Sequence, residues 1–151
     1  MVKDPSLERL NGQDIAPQTL PRVSMYFRFY GETFDPDEIT KRLGVEPTDS
    51  FRPGDPITED GRGIRRGYGW MVDIDGGRVL VIDDLLQAFR QRLEVSADTV
   101  RQLCRDLNVN LVIVCGVGMG RSEFAPGMFF PNWFLEWVTE LEASLNVDVV
   151  L

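Results

Sequence analysis

The chain has no histidine. That excludes histidine triads, imidazole acid–base catalysis and His-ligated metal sites. Cysteine is nearly absent: Cys104 and Cys115 are the only two, they do not form a C-x-x-C pair, and both fall in apolar runs. A structural zinc site is therefore not expected. Buried free thiols are, and these fit a reducing cytoplasm. Basic charge is in deficit, with 16 Lys and Arg against 24 Asp and Glu and a formal net charge of −8. Binding to a phosphate backbone depends on clustered Lys and Arg, so nucleic acid is not an expected partner. An acidic surface keeps a protein soluble and favours basic protein partners. No apolar run approaches the roughly 20 residues that span a bilayer. The opening stretch MVKDPSLERL lacks the apolar core of a signal peptide. No cofactor and no metal is expected.

What is present is an ordinary globular composition, 43% hydrophobic and 26% charged over 151 residues. One domain is expected, with residues 1–21 as a loosely attached leader and residues 22–151 as the folded unit. The clearest local signals lie between Val23 and Gly54. Val23, Met25, Phe27 and Phe29 alternate with Ser24, Tyr26, Arg28 and Tyr30, the period-two pattern of a half-buried strand. A short helix follows: Asp35 suits the N-cap, Pro36 the first turn, and Gly44 the left-handed end.

The order YFRFYGETFDPDEITKRLGVEPTDSFRPGD, followed by a Gly-rich segment and GYGW, resembles the bacterial family called domain of unknown function 4279. The features that carry the resemblance are the Gly31-Glu32 turn, the Asp35-Pro36 helix start, Leu43-Gly44, Thr48, the Phe51-Arg52-Gly54 cluster and Trp70. It extends over roughly Val23 to Leu151. The resemblance implies no established activity and so no catalytic residues.

Further along, the punctuation of Pro and Gly makes Glu46 to Gly67 a loop with one short strand near Ser50 to Arg52. The segment Ile57 to Arg66 is expected to be mobile. Tyr68 to Ile74 alternates as a strand, and Asp75-Gly76-Gly77 is expected to turn. Helical stripes run over Ile82 to Leu93, from Ser96 to Asn108, and over Pro131 to Leu145. Val109 to Cys115 reads as a central strand, and Val147 to Leu151 as a closing one. This order specifies an α+β fold: a single mixed, mostly antiparallel sheet with helices packed on one face, ferredoxin-like or an elaboration of it.

Four features are candidates for function. Arg52, Arg62, Arg65, Arg66 and Tyr68 could hold a small anionic ligand on a Gly-rich backbone, because guanidinium forks match carboxylate and phosphate. The plainer alternative is a solvated loop whose arginines pair with local carboxylates. The aromatic run containing Phe124, Phe129, Phe130, Trp133 and Trp137 could form an interface with a protein partner or a second copy, or cap one end of the sheet. The run GVGMG at Gly116 to Gly120 lacks the helix that a dinucleotide-binding loop leads into, and reads instead as a strand with close packing. The open sheet face bearing Tyr26, Arg28 and Tyr30 could stack nucleobases, against which the acidic charge argues. The functional expectation is a non-catalytic protein- or ligand-binding module of immunity-like or adaptor type. The alternative is a small enzyme or anion-binding domain using the Arg52 to Tyr68 loop.

Overall fold

Alternation sets the centre of the fold. Val23, Met25, Phe27 and Phe29 are completely buried, and the residues between them point to the opposite face. In a computed structural model, which describes residues 9–10, 13–14, 20–122 and 125–151, they belong to a nine-residue strand. The elements in order are β1 (Arg9–Leu10), β2 (Gln13–Asp14), β3 (Arg22–Tyr30), α1 (Pro36–Leu43), β4 (Asp49–Phe51), β5 (Gly69–Arg78), α2 (Asp83–Arg92), α3 (Ala97–Leu107), β6 (Asn110–Gly118), α4 (Asn132–Glu140) and β7 (Ser144–Val150).

One five-stranded sheet runs in the order β4-β5-β3-β6-β7. All neighbouring pairs are antiparallel except β6 and β7, which are parallel. The sheet is thus mixed and mostly antiparallel, as the sequence pattern specifies. Its inner face carries the odd-numbered residues of β3, Trp70 and Val72 of β5, and Ile113 and Cys115 of β6. Ile39 of α1, Leu86 and Phe89 of α2, Val100 and Leu103 of α3, and Phe134 and Trp137 of α4 complete the same apolar cluster. Phe27 sits among the rings of Phe29, Trp70, Phe89 and Trp137, with centroids 5.6–6.5 Å apart. Among the described residues no polar or charged residue is buried.

The helix ends follow their sequence signals. Asp35 accepts from the Asp37 amide at 3.0 Å, and Gly44 closes α1 at φ 68°. Ser96 caps α3 through the Thr99 amide, and Asn108 ends it at φ 52°. Trp70 Nε1 donates to Thr40 Oγ1 at 2.9 Å, fixing α1 on β5.

Three expected boundaries differ. The Asp75-Gly76-Gly77 segment is not a turn: β5 continues to Arg78, and a bulge between Arg22 and Ser24 of the partner register absorbs it. A Cβ on Gly76 would lie 2.7 Å from Leu85, so the glycine permits close helix packing rather than chain reversal. The last helix ends at Glu140, not Leu145, because Glu142 adopts φ 54° and β7 starts at Ser144. The stretch from Gly54 to Arg65 closes into a small hairpin, with Gly54 N donating to Arg65 O at 2.9 Å and Arg65 N to Asp55 O at 2.7 Å.

Most of the expected leader lies outside the described residues. Within it, β1 and β2 pair antiparallel. Leu20 and Pro21 are buried, and Val79 N bonds to Pro21 O at 2.9 Å.

Candidate functional site

The arginine loop is mostly self-compensated. Arg52 bonds to Asp35 at 2.5 Å and to Asp37 at 3.0 Å, so it clamps the start of α1. The Asp37 hydrogen bond, with the charge of both carboxylates, pushes the Arg52 pKa above its ordinary value. Arg62 pairs with Asp60 at 3.1 Å. Arg65 pairs with Asp49 at 3.1 Å, and its guanidinium lies 4.0 Å over the Phe51 ring. Among the described residues only Arg66 of this set has no ion pair, and it is exposed. Tyr68 packs against Phe34 at 5.7 Å. Each paired guanidinium turns to its own carboxylate.

The aromatic run divides in two. Trp137, expected at an interface, is a core residue only 5% exposed, because α4 turns it onto Phe27 and Phe89. Phe130 stacks on Phe134 at 5.6 Å, and Gly127 N bonds to Leu80 O, which pins this loop to the body. Phe129 and Trp133 remain exposed. Phe124 lies outside the described residues.

The open sheet face is paved by aromatic rings over glycines. The Phe51 ring occupies the space over Gly69, 2.2 Å from where a Cβ would stand, and Tyr26 covers Gly116 at 3.1 Å. Gly69 of GYGW and Gly116 of GVGMG are therefore seats for rings, and the latter run continues β6 through Gly118. Beside Tyr26 lies a shallow concavity of about 450 Å³, lined among others by Arg22, Arg28, Met71, Val114 and Asp148.

Sequence reasoning expected the closing strand, here β7, but missed its most unusual feature, an outer edge that no described strand pairs. By register, Leu145, Val147 and Val149 lie beside the buried Ile113, Cys115 and Val117, on the helix side. Ser144, Asn146, Asp148 and Val150 lie on the open face. Yet Val147, Val149 and Val150 are 44%, 56% and 68% exposed. Val150 O accepts from Met119 N at 2.8 Å, so the backbone groups of Val150 point towards β6. Alternation then sends the N–H and C=O of Leu145, Val147 and Val149 outward. Among the described residues no strand lies on that side. Proteins normally blunt such edges with Lys, Pro, bulges or short length. The opposite edge strand, β4, has three residues. The seven-residue β7 contains no Lys, Pro or bulge. The VDVV alternation was the available signal; reading it as a closing strand left unasked which neighbour it lacks.

The chemistry of reactive groups is quiet. Burial pushes the Cys104 and Cys115 thiols up to about 11, so both are protonated at neutral pH. Asp60 is held below its ordinary range by Thr58, and Asp106 by Gln102 and Arg42. Among the described residues no group of His, Cys, Asp and Glu is arranged to hold a metal ion. Among the described residues no helix is long and apolar enough to cross a membrane.

No curated protein and no solved structure matches the chain significantly. A family model does, over residues 21–151, and it spans the five-stranded sheet with its β7 edge and the four described helices: the chain belongs to the family described as Domain of unknown function (DUF4279).

Proposed function

We propose that this chain is a non-catalytic protein-binding module that receives an extended segment of a partner along β7. The observation that carries the reading is that edge: a regular seven-residue strand with exposed valines and outward backbone groups that no described strand pairs. Unmet N–H and C=O groups in a row are a template for strand addition, which recognises a peptide by its backbone and by alternate side chains. An adaptor or immunity-like role suits such a surface, since both act by docking. The protonated thiols of Cys104 and Cys115 support binding over thiol catalysis, because neither supplies a thiolate nucleophile near neutral pH. The Arg52 to Tyr68 loop supports an anion site less well, since Arg52, Arg62 and Arg65 already hold carboxylate partners. The antiparallel order β4-β5-β3-β6, threaded as strand, helix, two strands, helices and strand, supports reading the body as ferredoxin-like, elaborated by α4 and β7.

The test is a photo-crosslinking amino acid at position 149, compared with one at the exposed Arg62, in cells expressing the full chain. The reading expects a defined partner captured at 149 only. That partner, purified, binds the wild-type chain and loses binding to Val147→Pro. Equal capture at both positions, or unchanged binding to Val147→Pro, sinks it.

A further inference from the structure

We infer that the segment received by β7 is a strand of a basic partner, alternating apolar residues with Lys or Arg; this rests on the binding reading above and names the partner's chemistry. The two sides of the edge are different. On the helix side stand Leu145, Val147 and Val149, apolar and only partly covered. On the open face stand Ser144, Asn146, Asp148 and Val150. A strand added beside β7 has the same alternation, so every second side chain meets the valine row and the others meet Asn146 and Asp148.

The charge of this part of the molecule decides what those others are. Residues 125–151 include Glu136, Glu140, Glu142 and Asp148 and contain no Lys or Arg. Arg101 reaches the end of α4, but it is also bonded to Asp98. Arg22 and Arg28 of β3 share the open-face concavity with Asp148, but β3 lies two strands in from the edge and Arg22 also pairs with Asp75 at 3.8 Å. Asp148 is therefore the one charged side chain on the edge strand itself, while exposed Arg121 lies beyond its far end, two residues after the Met119 that bonds Val150. Opposite charges directly across a strand pair stabilise it, and like charges destabilise it.

The same residue discriminates against the other occupants. An acidic strand places a carboxylate against Asp148. A second copy brings another chain of net charge −8. In the two-fold register centred on Val147, it sets Asp148 against Asn146 and forms no opposite-charge pair. Asp148 thus favours a basic strand, disfavours an acidic one and gains no charge pair from a second copy.

The probe is the fluorescent peptide Lys-Val-Lys-Val-Lys-Val-Lys, with Glu-Val-Glu-Val-Glu-Val-Glu as its counterpart, followed by anisotropy against the full chain. The basic peptide is expected to bind at least tenfold tighter. Asp148→Lys is expected to reverse the preference. Val147→Pro, which removes an outward N–H and one member of the valine row but no bond to β6, is expected to abolish binding of the basic peptide with Tm little changed. Basic binding that survives Val147→Pro overturns the inference, because attraction to the acidic surface alone explains it. Equal binding of the two peptides, lost together in Val147→Pro, overturns the basic-partner inference and leaves the edge reading standing. Self-association by sedimentation that Val147→Pro removes also overturns it, making a second copy the occupant. Should Val147→Pro fold poorly, the reversal in Asp148→Lys decides: no reversal overturns the inference.

Discussion

A methyl group added at Gly69 has nowhere to go. Its Cβ would stand 2.2, 2.5 and 2.8 Å from three atoms of the Phe51 ring. Gly69 and Phe51 are direct cross-strand partners, so backbone shift cannot easily relieve the overlap. The ring must swing outward, and the Arg65 guanidinium stacked 4.0 Å above it moves as well. Forcing a methyl into such a contact costs about 1–3 kcal/mol. Loss of this partly buried cation–π contact adds about 1 kcal/mol. Alanine recovers about 0.5–1 kcal/mol over glycine in a strand interior. The net for Gly69→Ala is a loss of about 2 kcal/mol, which for a chain of this size lowers Tm by about 4–8 °C. The decisive assay is a double-mutant cycle with Phe51→Ala, followed by urea denaturation. With the ring gone, Gly69→Ala becomes neutral or slightly stabilising, giving a coupling of about 2–3 kcal/mol. An equal cost in both backgrounds would refute the idea that the glycine exists to seat the ring.

Other expectations can be checked with the same purified protein. Thr40→Val removes the acceptor of the buried Trp70 indole N–H and should destabilise by about 1–3 kcal/mol in urea melts; no change would mean that the bond is not what docks α1. Arg52→Ala should lower Tm without any ligand present, and the difference should shrink in 1 M salt, because the pairs to Asp35 and Asp37 are exposed. An unchanged Tm would return Arg52 to the list of ligand-binding residues. Cys104 and Cys115 should resist iodoacetamide at pH 8 and react after unfolding. Their folded pKa is raised, so the stability they contribute is complete below the unfolded value and is lost as pH climbs towards about 11. Fast native labelling at pH 8 would contradict this.

Much of the fold was legible because it rests on short-range physics. The β3 alternation, the Asp35 and Ser96 caps and the left-handed Gly44 and Asn108 are set by a few neighbouring residues. Apart from the end of α4, set locally by Glu142, the misreadings are places where a distant element intervenes. Gly76 serves Leu85 of α2, so it is not the turn that local reading assigns, and Gly69, inside the expected strand, serves Phe51. Trp137 looks like surface excess beside Trp133 until Phe27 and Phe89 surround it. The arginines of the loop read as a cluster in sequence, yet Asp35, Asp37 and Asp49, which engage two of them, lie outside that loop. The β7 edge was least legible, because exposure of a strand depends on which strand it lacks beside it.

That edge is tested most directly by amide hydrogen exchange on the free protein at micromolar concentration. The account predicts an alternation along β7: fast exchange at Leu145, Val147 and Val149, slow exchange at Asn146, Asp148 and Val150. Uniform protection of all six amides would contradict it, since the outer side of β7 would then already be paired.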